Sequence, residues 1–185
     1  MPDPVVLFKH NRLSSDTPIP EKKFTIKLLG KDGIAADQAS TNVRKMIDLV
    51  QKSISKVVKV PDQLEFYTEN DPRIERYFNA LGPLKKDTEL KSQTIAILDD
   101  KKQRGGNDLI FTTYGIIPVS NNAVKQVVAY KAVEWDHDKK QNLIIDGRYE
   151  NPAVDYGELY SLIQSLSMLA KEPPVTQRPK LFGIF

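Results

Sequence analysis

The chain has 185 residues, of which 27 are basic and 24 acidic, and it contains no cysteine. Its formal net charge of +3 does not by itself favour nucleic acid or a membrane surface as a partner. Without cysteine, disulfides, thiolate nucleophiles and cysteine-ligated metal centres are excluded. The longest apolar runs are far shorter than a membrane-spanning helix requires. We therefore expect a cytoplasmic protein that has no cofactor and no membrane partner.

The first part of the chain predicts short strands separated by a loop. Residues Val5–Lys9 are apolar enough for a strand, and residues 11–21 contain prolines and serines typical of a loop. Apolar and polar residues alternate over Lys23–Leu29, which predicts a half-buried strand, and residues 30–33 predict a turn.

The clearest element is a helix predicted from Asp37 to Lys59 and ended by Pro61. Its apolar residues are spaced alternately by four and three positions, which places them on one helix face. They are Val43, Ile47, Val50, Ile54 and Val57.

A short strand is predicted at Leu64–Tyr67, followed by a second helix. That helix begins at Asp71-Pro72, because proline is favoured at the first helical position. Gly82-Pro83 ends it.

The middle of the chain predicts mostly strands. They are Thr94–Leu98, Leu109–Val119, Val124–Trp135 and Leu143–Tyr149. Within the second of these, Gly115 and Pro118 suggest a bend or a position at the sheet edge. The Gly-containing loop at residues 101–107 is compatible with a hairpin between the first two.

The last helix is predicted from Asp155 to Lys171, because Asp155 and Glu158 have the spacing of a capping box. We therefore predict an α+β fold with a mainly antiparallel sheet of about five or six strands, a long helix in the N-terminal half, a short second helix and a C-terminal helix. Residues 1–21 form an N-terminal extension, residues 22–172 a single domain and residues 173–185 a Pro-rich linker with an apolar tail.

The C-terminal helix and tail predict a surface for protein interaction and assembly, with another protein or a second copy as partner. The polar side of the helix carries few charges, and charged residues are depleted in protein contacts. The apolar tail residues would lose stabilisation if they stayed in water, and the alternative is that they complete the chain's own core. The predicted protein-binding residues are Ser161, Gln164, Ser165, Leu181, Phe182, Ile184 and Phe185.

Nucleic-acid binding is the second hypothesis. One side of the long helix and the Gly-containing loop are basic, and lysine and arginine contact phosphates. In the loop, Gly105 and Gly106 would allow the backbone to approach a phosphate closely. No stacking aromatics accompany these residues, so a solvated helix face is the structural alternative. The candidate residues are Lys45, Lys52, Lys56, Lys59, Lys101, Lys102 and Arg104.

Metal-dependent hydrolysis is the third hypothesis. Glu89-Leu90-Lys91 has the acid–x–Lys pattern of metal-dependent nucleases, and Glu134, Asp136, His137 and Asp138 could supply ligands. Lys139 and Lys140 would compete with a cation there. No P-loop, G-x-G-x-x-G or G-x-S-x-G motif is present in the sequence. We therefore expect binding rather than catalysis.

Overall fold

The computed structural model describes residues 31–102, 105–137 and 142–171, with the backbone alone described for residues 31–39 and for Pro83. The strands predicted at 5–9 and 23–29 and the tail at 173–185 lie outside these ranges. The chain divides into two compact units, residues 1–44 and 45–185. The described part of the first unit is the beginning of the long helix, and the remaining elements belong to the second unit.

The mixed α+β composition is confirmed. The helices are α1 (Lys31–Val57), α2 (Pro72–Ala80), α3 (Thr88–Gln93) and α4 (Tyr156–Ser167). The strands are β1 (Leu64–Thr68), β2 (Thr94–Asp100), β3 (Asn107–Thr112), β4 (Ile116–Ser120), β5 (Ala123–Val124), β6 (Glu134–Trp135), β7 (Leu143–Ile144) and β8 (Arg148–Tyr149). Short 3-10 turns occur at Gly82–Leu84 and Tyr130–Ala132. None of the described helices combines the length and the apolar character needed to cross a membrane.

Helix α1 starts at Lys31, earlier than the predicted Asp37, so the predicted turn is wrong for residues 31–33. Its buried stripe follows the predicted spacing, since Ile47, Val50 and Val57 are buried. Helix α2 starts as predicted, because the Asp71 side chain accepts a hydrogen bond from the Arg73 N–H at 2.9 Å.

Strands β1 to β5 form one antiparallel sheet in sequence order. On one face Tyr67, Ile97 and Ile110 lie side by side in register and join the buried cluster that includes Tyr77 and Phe78 of α2. The opposite face carries aromatic side chains. The rings of Phe66 and Phe111 lie 5.3 Å apart, and the Phe111 ring lies 6.5 Å from that of Tyr130. The 3-10 turn that contains Tyr130 packs against α4.

The single strand predicted over Leu109–Val119 is wrong, because the chain reverses between β3 and β4. The Thr112 hydroxyl donates to the Gly115 carbonyl at 2.8 Å and accepts from the Gly115 N–H at 3.1 Å, which closes the turn. A side chain at 115 would not fit, since its Cβ would lie 2.4 Å from the Val128 carbonyl oxygen. That carbonyl is fixed by a hydrogen bond from the Ile116 N–H at 2.8 Å.

Two further strand predictions need correction. Residues 124–135 form the end of β5, a 3-10 turn and β6 rather than one strand. Residues 143–149 form the short strands β7 and β8, which reverse at Asp146 and Gly147, where both φ angles are positive. Strands β6, β7 and β8 make a second antiparallel sheet. Helix α3 was not predicted, and the side chain of Asp87 caps it by accepting from the Leu90 N–H at 2.8 Å.

Candidate protein-binding surface

Helix α4 is held at both ends by backbone hydrogen bonds to distant segments. Before its first turn, the Asp155 N–H donates to the Val57 carbonyl at 2.8 Å. Beyond its last turn, the Lys171 N–H donates to the Thr113 carbonyl at 3.0 Å. These bonds fix which side of the helix faces the core.

The start of α4 confirms the predicted cap, because the Asp155 carboxylate accepts from the Glu158 N–H at 3.0 Å. The helix ends at Ser167 instead of the predicted Lys171. Its buried side chains match the predicted stripe and are Leu159, Leu162, Ile163 and Leu166.

The opposite side of α4 carries an uncharged line of exposed residues. Gly157, Ser161, Gln164 and Met168 follow one another at spacings of four, three and four, and all are exposed. We call these four residues the outer stripe. Met168 is 86% exposed, which leaves a long apolar side chain in water. Interfaces are depleted in charge and enriched in methionine, so this composition is typical of a contact surface.

Local hydrogen bonds reduce the polarity of this side further. The Ser165 hydroxyl donates to the Ser161 carbonyl at 3.0 Å, and the Ser167 hydroxyl donates to the Gln164 carbonyl at 2.6 Å. Because these donors are already used within the helix, a partner that covers them loses little hydrogen bonding to water.

An aromatic pair flanks the outer stripe. Tyr160 of α4 and Trp135 of β6 are half-buried, and their rings meet edge to face at 5.4 Å. Trp135 is the only tryptophan in the chain, and tryptophan and tyrosine are the residues most enriched among interface hot spots.

The structure brings some of the predicted protein-binding residues together. Ser161 and Gln164 are exposed and Ser165 is half-buried on the predicted side of α4. The predicted tail residues lie outside the described residues and are Leu181, Phe182, Ile184 and Phe185. Met168 was missed, although its position seven residues after Ser161 places it on the same helix side.

The structure brings only part of the basic candidates near one another, at the end of α1 and the start of the β2–β3 loop. Lys45, Lys52, Lys56 and Lys59 are exposed on α1 or just after it, and Lys102 is exposed in the β2–β3 loop. The Lys101 ammonium donates to the Pro61 carbonyl at 2.8 Å and lies 3.4 Å from Glu65, so it is engaged within the chain. Arg104 lies outside the described residues.

The Gly-containing loop does not offer its backbone to a phosphate in the predicted way. The Gly105 N–H donates to the Asp108 carboxylate at 2.6 Å, and Gly105 and Gly106 are buried. A carboxylate of the chain itself therefore occupies the position that an anion would take.

The residues proposed for metal chemistry are dispersed or engaged in ion pairs. Lys91 bonds Glu75 at 2.9 Å, and Asp136 bonds Arg148 at 2.8 Å. Asp138 lies outside the described residues. Within the described ranges, no group of three or more acidic or histidine side chains is placed to hold a metal ion.

Comparison of the chain with protein-family models, with curated proteins and with solved structures finds no match.

Glu69 follows β1 in the chain. Burial raises the pKa of its carboxyl group well above the ordinary value. Its Oε2 atom is buried and has no hydrogen-bond partner among the residues that the structure describes. Burial raises the pKa of Glu69 from 4.5 to about 7, because the charged form loses its hydration. The folded state therefore binds a proton that the unfolded state has released between those pH values.

Replacing this carboxyl group should change how stability depends on pH. The folded pKa is raised, so the penalty for burying the charge is absent below pH 4.5 and complete above pH 7. Each pKa unit corresponds to about 1.4 kcal/mol. We expect Glu69→Gln to be more stable than the native chain at pH 8, by up to about 3 kcal/mol, and equal to it near pH 4.5.

Urea unfolding at the two pH values measures this difference. The matched control is Glu134→Gln, which removes an exposed carboxylate from β6. If both variants change the free energy of unfolding equally at both pH values, the Glu69 carboxylate is charged in the folded state without loss of stability, which would contradict the prediction.

Proposed function

We propose that the protein is a non-catalytic assembly module in which residues 181–185 of one copy bind the outer stripe of α4 in a second copy. The observation that carries this proposal is the exposed Met168 on a helix side without charge. The side of a surface helix that faces water usually carries charged residues, and this side does not.

The chemistry of the tail fits the outer stripe. Leu181, Phe182, Ile184 and Phe185 are apolar anchors, and burying each one is worth roughly 1.5–3 kcal/mol. The outer stripe contains no charge whose desolvation would oppose that gain. The half-buried pair Trp135 and Tyr160 lies beside it and provides aromatic surface for the same segment.

The sequence between α4 and the tail favours a second copy over the chain's own helix. Residues 172–180 contain three prolines, and proline-rich segments act as semi-rigid spacers. We therefore expect this spacer to hinder the tail from turning back onto its own α4.

Self-association should depend on both sides of this contact. Met168→Lys replaces an apolar side chain of the outer stripe by a charged one, while lysine remains compatible with a helix C-terminus. The matched control is Asn79→Lys, which adds the same charge at an exposed position in the last turn of α2. We expect Met168→Lys and the double variant Phe182→Ala/Phe185→Ala each to weaken self-association at least tenfold, and Asn79→Lys to leave it unchanged.

Mixing the two defective variants distinguishes the possible arrangements. Met168→Lys retains an intact tail, and Phe182→Ala/Phe185→Ala retains an intact outer stripe. If the tail of one copy binds the helix of another, mixed pairs regain one intact contact, and light scattering should show association that neither variant shows alone. A native chain that is monomeric up to millimolar concentration would contradict assembly. Association that both variants leave intact would place the contact elsewhere.

Nucleic-acid binding is a second candidate function, because a contact between the β2–β3 loop and the end of α1 brings lysines together. The hydrogen bond from Lys101 to the Pro61 carbonyl brings the β2–β3 loop to the end of α1, where Lys56 and Lys59 are exposed. Lysines that are separate in the sequence therefore share one corner. The carboxylates of Asp62 and Glu65 in the same corner reduce its net positive charge.

This second candidate predicts a dependence on salt. Lys56→Glu/Lys59→Glu should weaken binding to duplex DNA and reduce the slope of log K against log salt by about 2, if each lysine contacts one phosphate. Lys85→Glu/Lys86→Glu changes the same net charge at exposed positions between α2 and α3 and should have a smaller effect. Equal weakening by both double variants would indicate attraction by net charge without a site at this corner.

The finer predictions from the sequence remain proposals. They are the cytoplasmic location, the absence of catalysis and the accessory role in an assembly.

A further inference from the structure

Strand β1 lies at the edge of the five-stranded sheet, and β2 is its only neighbour among the described strands. The backbone groups of an edge strand point alternately towards its neighbour and away from it. The Gln63 carbonyl accepts from the Lys101 N–H at 2.9 Å, and the Glu69 N–H donates to the Ile95 carbonyl at 3.0 Å. Residues of β1 with odd numbers therefore face β2, and those with even numbers present their backbone to the outside.

The outward backbone groups of β1 are of two kinds. The turns that flank the strand use one group at each end. The Leu64 N–H donates to the Val60 carbonyl at 3.2 Å, and the Thr68 carbonyl accepts from the Asp71 N–H at 3.0 Å. Within the described residues, no hydrogen bond involves the Leu64 carbonyl, the Thr68 N–H or either backbone group of Phe66. Edge groups of this kind are a template for pairing with another strand.

The remaining groups complement one another under two-fold symmetry. If two β1 strands run antiparallel with their Phe66 residues opposite each other, each Phe66 N–H donates to the Phe66 carbonyl of the other copy. Each Thr68 N–H then donates to the Leu64 carbonyl of the other copy. This register leaves out only the Leu64 N–H and the Thr68 carbonyl, which the turns already bond. A slide of two residues in either direction would bring a bonded group opposite a free one.

The side chains at this edge fit the same register. It places Gln63 of one copy opposite Glu69 of the other. The Glu69 Oε2 atom is buried without a hydrogen-bond partner among the described residues, and the Gln63 amide group can donate to it. It also places Glu65 opposite Tyr67 of the other copy, whose ring lies 4.7 Å from the Arg73 guanidinium. Opposite charges therefore meet across the edge.

We propose that two copies of the chain, once joined by tail and α4, also pair through β1 into one continuous antiparallel sheet with a two-fold axis at Phe66. The β1 contact is carried by backbone groups, because the Phe66 ring packs within its own chain, 5.3 Å from the Phe111 ring. To this extent it rests on the proposed function. Backbone hydrogen bonds alone make a weak contact, and the first contact raises the effective concentration of the second.

Proline at position 68 tests this contact in the full chain. Thr68→Pro removes the outward N–H and places a ring where the second strand would lie, and it breaks no described backbone bond within its own chain. The matched control is Thr68→Val, which keeps the N–H and also loses the hydroxyl that accepts from Gln51 at 3.4 Å. We expect Thr68→Pro to weaken self-association at least tenfold relative to Thr68→Val, as measured by light scattering. Equal association of the two variants would overturn the proposal.

A nuclear Overhauser measurement on the native chain identifies the register, and it decides alone if Thr68→Pro does not fold. A ¹³C-enriched copy is mixed with an unenriched copy, and isotope filtering selects contacts between copies. In the proposed register Glu65 and Tyr67 of the other copy form a non-hydrogen-bonded pair, in which the backbones approach most closely. We therefore expect a signal between the Hα atoms of Glu65 and Tyr67.

The outcomes separate the β1 contact from the tail contact. Self-association that depends on Phe182 and Phe185 but shows no Glu65–Tyr67 signal would overturn the β1 contact and leave the proposed function intact. A Glu65–Tyr67 signal in copies whose association does not depend on the tail would support the β1 contact and contradict the proposed function. Signals that join β1 to a different segment of the other copy would overturn the β1 contact.

Discussion

The position of α4 depends on backbone hydrogen bonds that tie its two ends to segments distant in the sequence. The Lys59 N–H donates to the Ala153 carbonyl and the Asp155 N–H donates to the Val57 carbonyl, which joins the end of α1 to the start of α4. The Lys171 N–H donates to the Thr113 carbonyl in the β3–β4 turn. Because both ends are fixed, the leucine side of the helix stays in the core and the outer stripe stays in water.

This constraint connects the fold to the proposed assembly. Turning α4 about its axis so as to bury Met168 would expose the buried side chains on the opposite side, such as Leu162 and Leu166. The backbone bonds at both ends of the helix also oppose that rotation. Met168 therefore stays exposed in the folded chain, and the proposed contact with a second copy would cover it.

The β2–β3 hairpin depends on a buried carboxylate. The Asp108 side chain closes the loop by accepting hydrogen bonds from the Asp100 N–H at 2.8 Å and the Gly105 N–H at 2.6 Å. Burying a charged carboxylate costs free energy, and these bonds offset part of that cost. An apolar residue at position 108 would leave both amides without this acceptor.

The sequence predicted the helices well because their signals are local. The apolar spacing of α1 and α4 and the capping residues Asp71 and Asp155 act within one or two turns, and the structure confirms them. The strand boundaries in the second half were wrong for a physical reason. The Thr112 side chain closes the β3–β4 turn. Gly115 is required in this turn because the carbonyl oxygen of Val128 lies where a side chain would begin, and Val128 comes later in the sequence, outside the turn. A contact of that kind leaves no local pattern.

The candidate surface was predictable in part. The charge-free side of α4 follows from the sequence, and Ser161 and Gln164 lie on it as predicted. The neighbouring pair Trp135 and Tyr160 required the structure, because β6 reaches α4 only through the fold.

The central claim is that the tail of one copy contacts α4 of another, and a paramagnetic label measures this directly. Because the native chain has no cysteine, Ile184→Cys provides a single attachment site. A spin-labelled, unenriched copy is mixed with an unlabelled ¹⁵N-enriched copy. The proposed assembly predicts broadening of the amide signals of Ser161, Gln164 and Met168 in the enriched copy. Broadening of these signals only when label and ¹⁵N share one chain, or broadening confined to other elements, would contradict it.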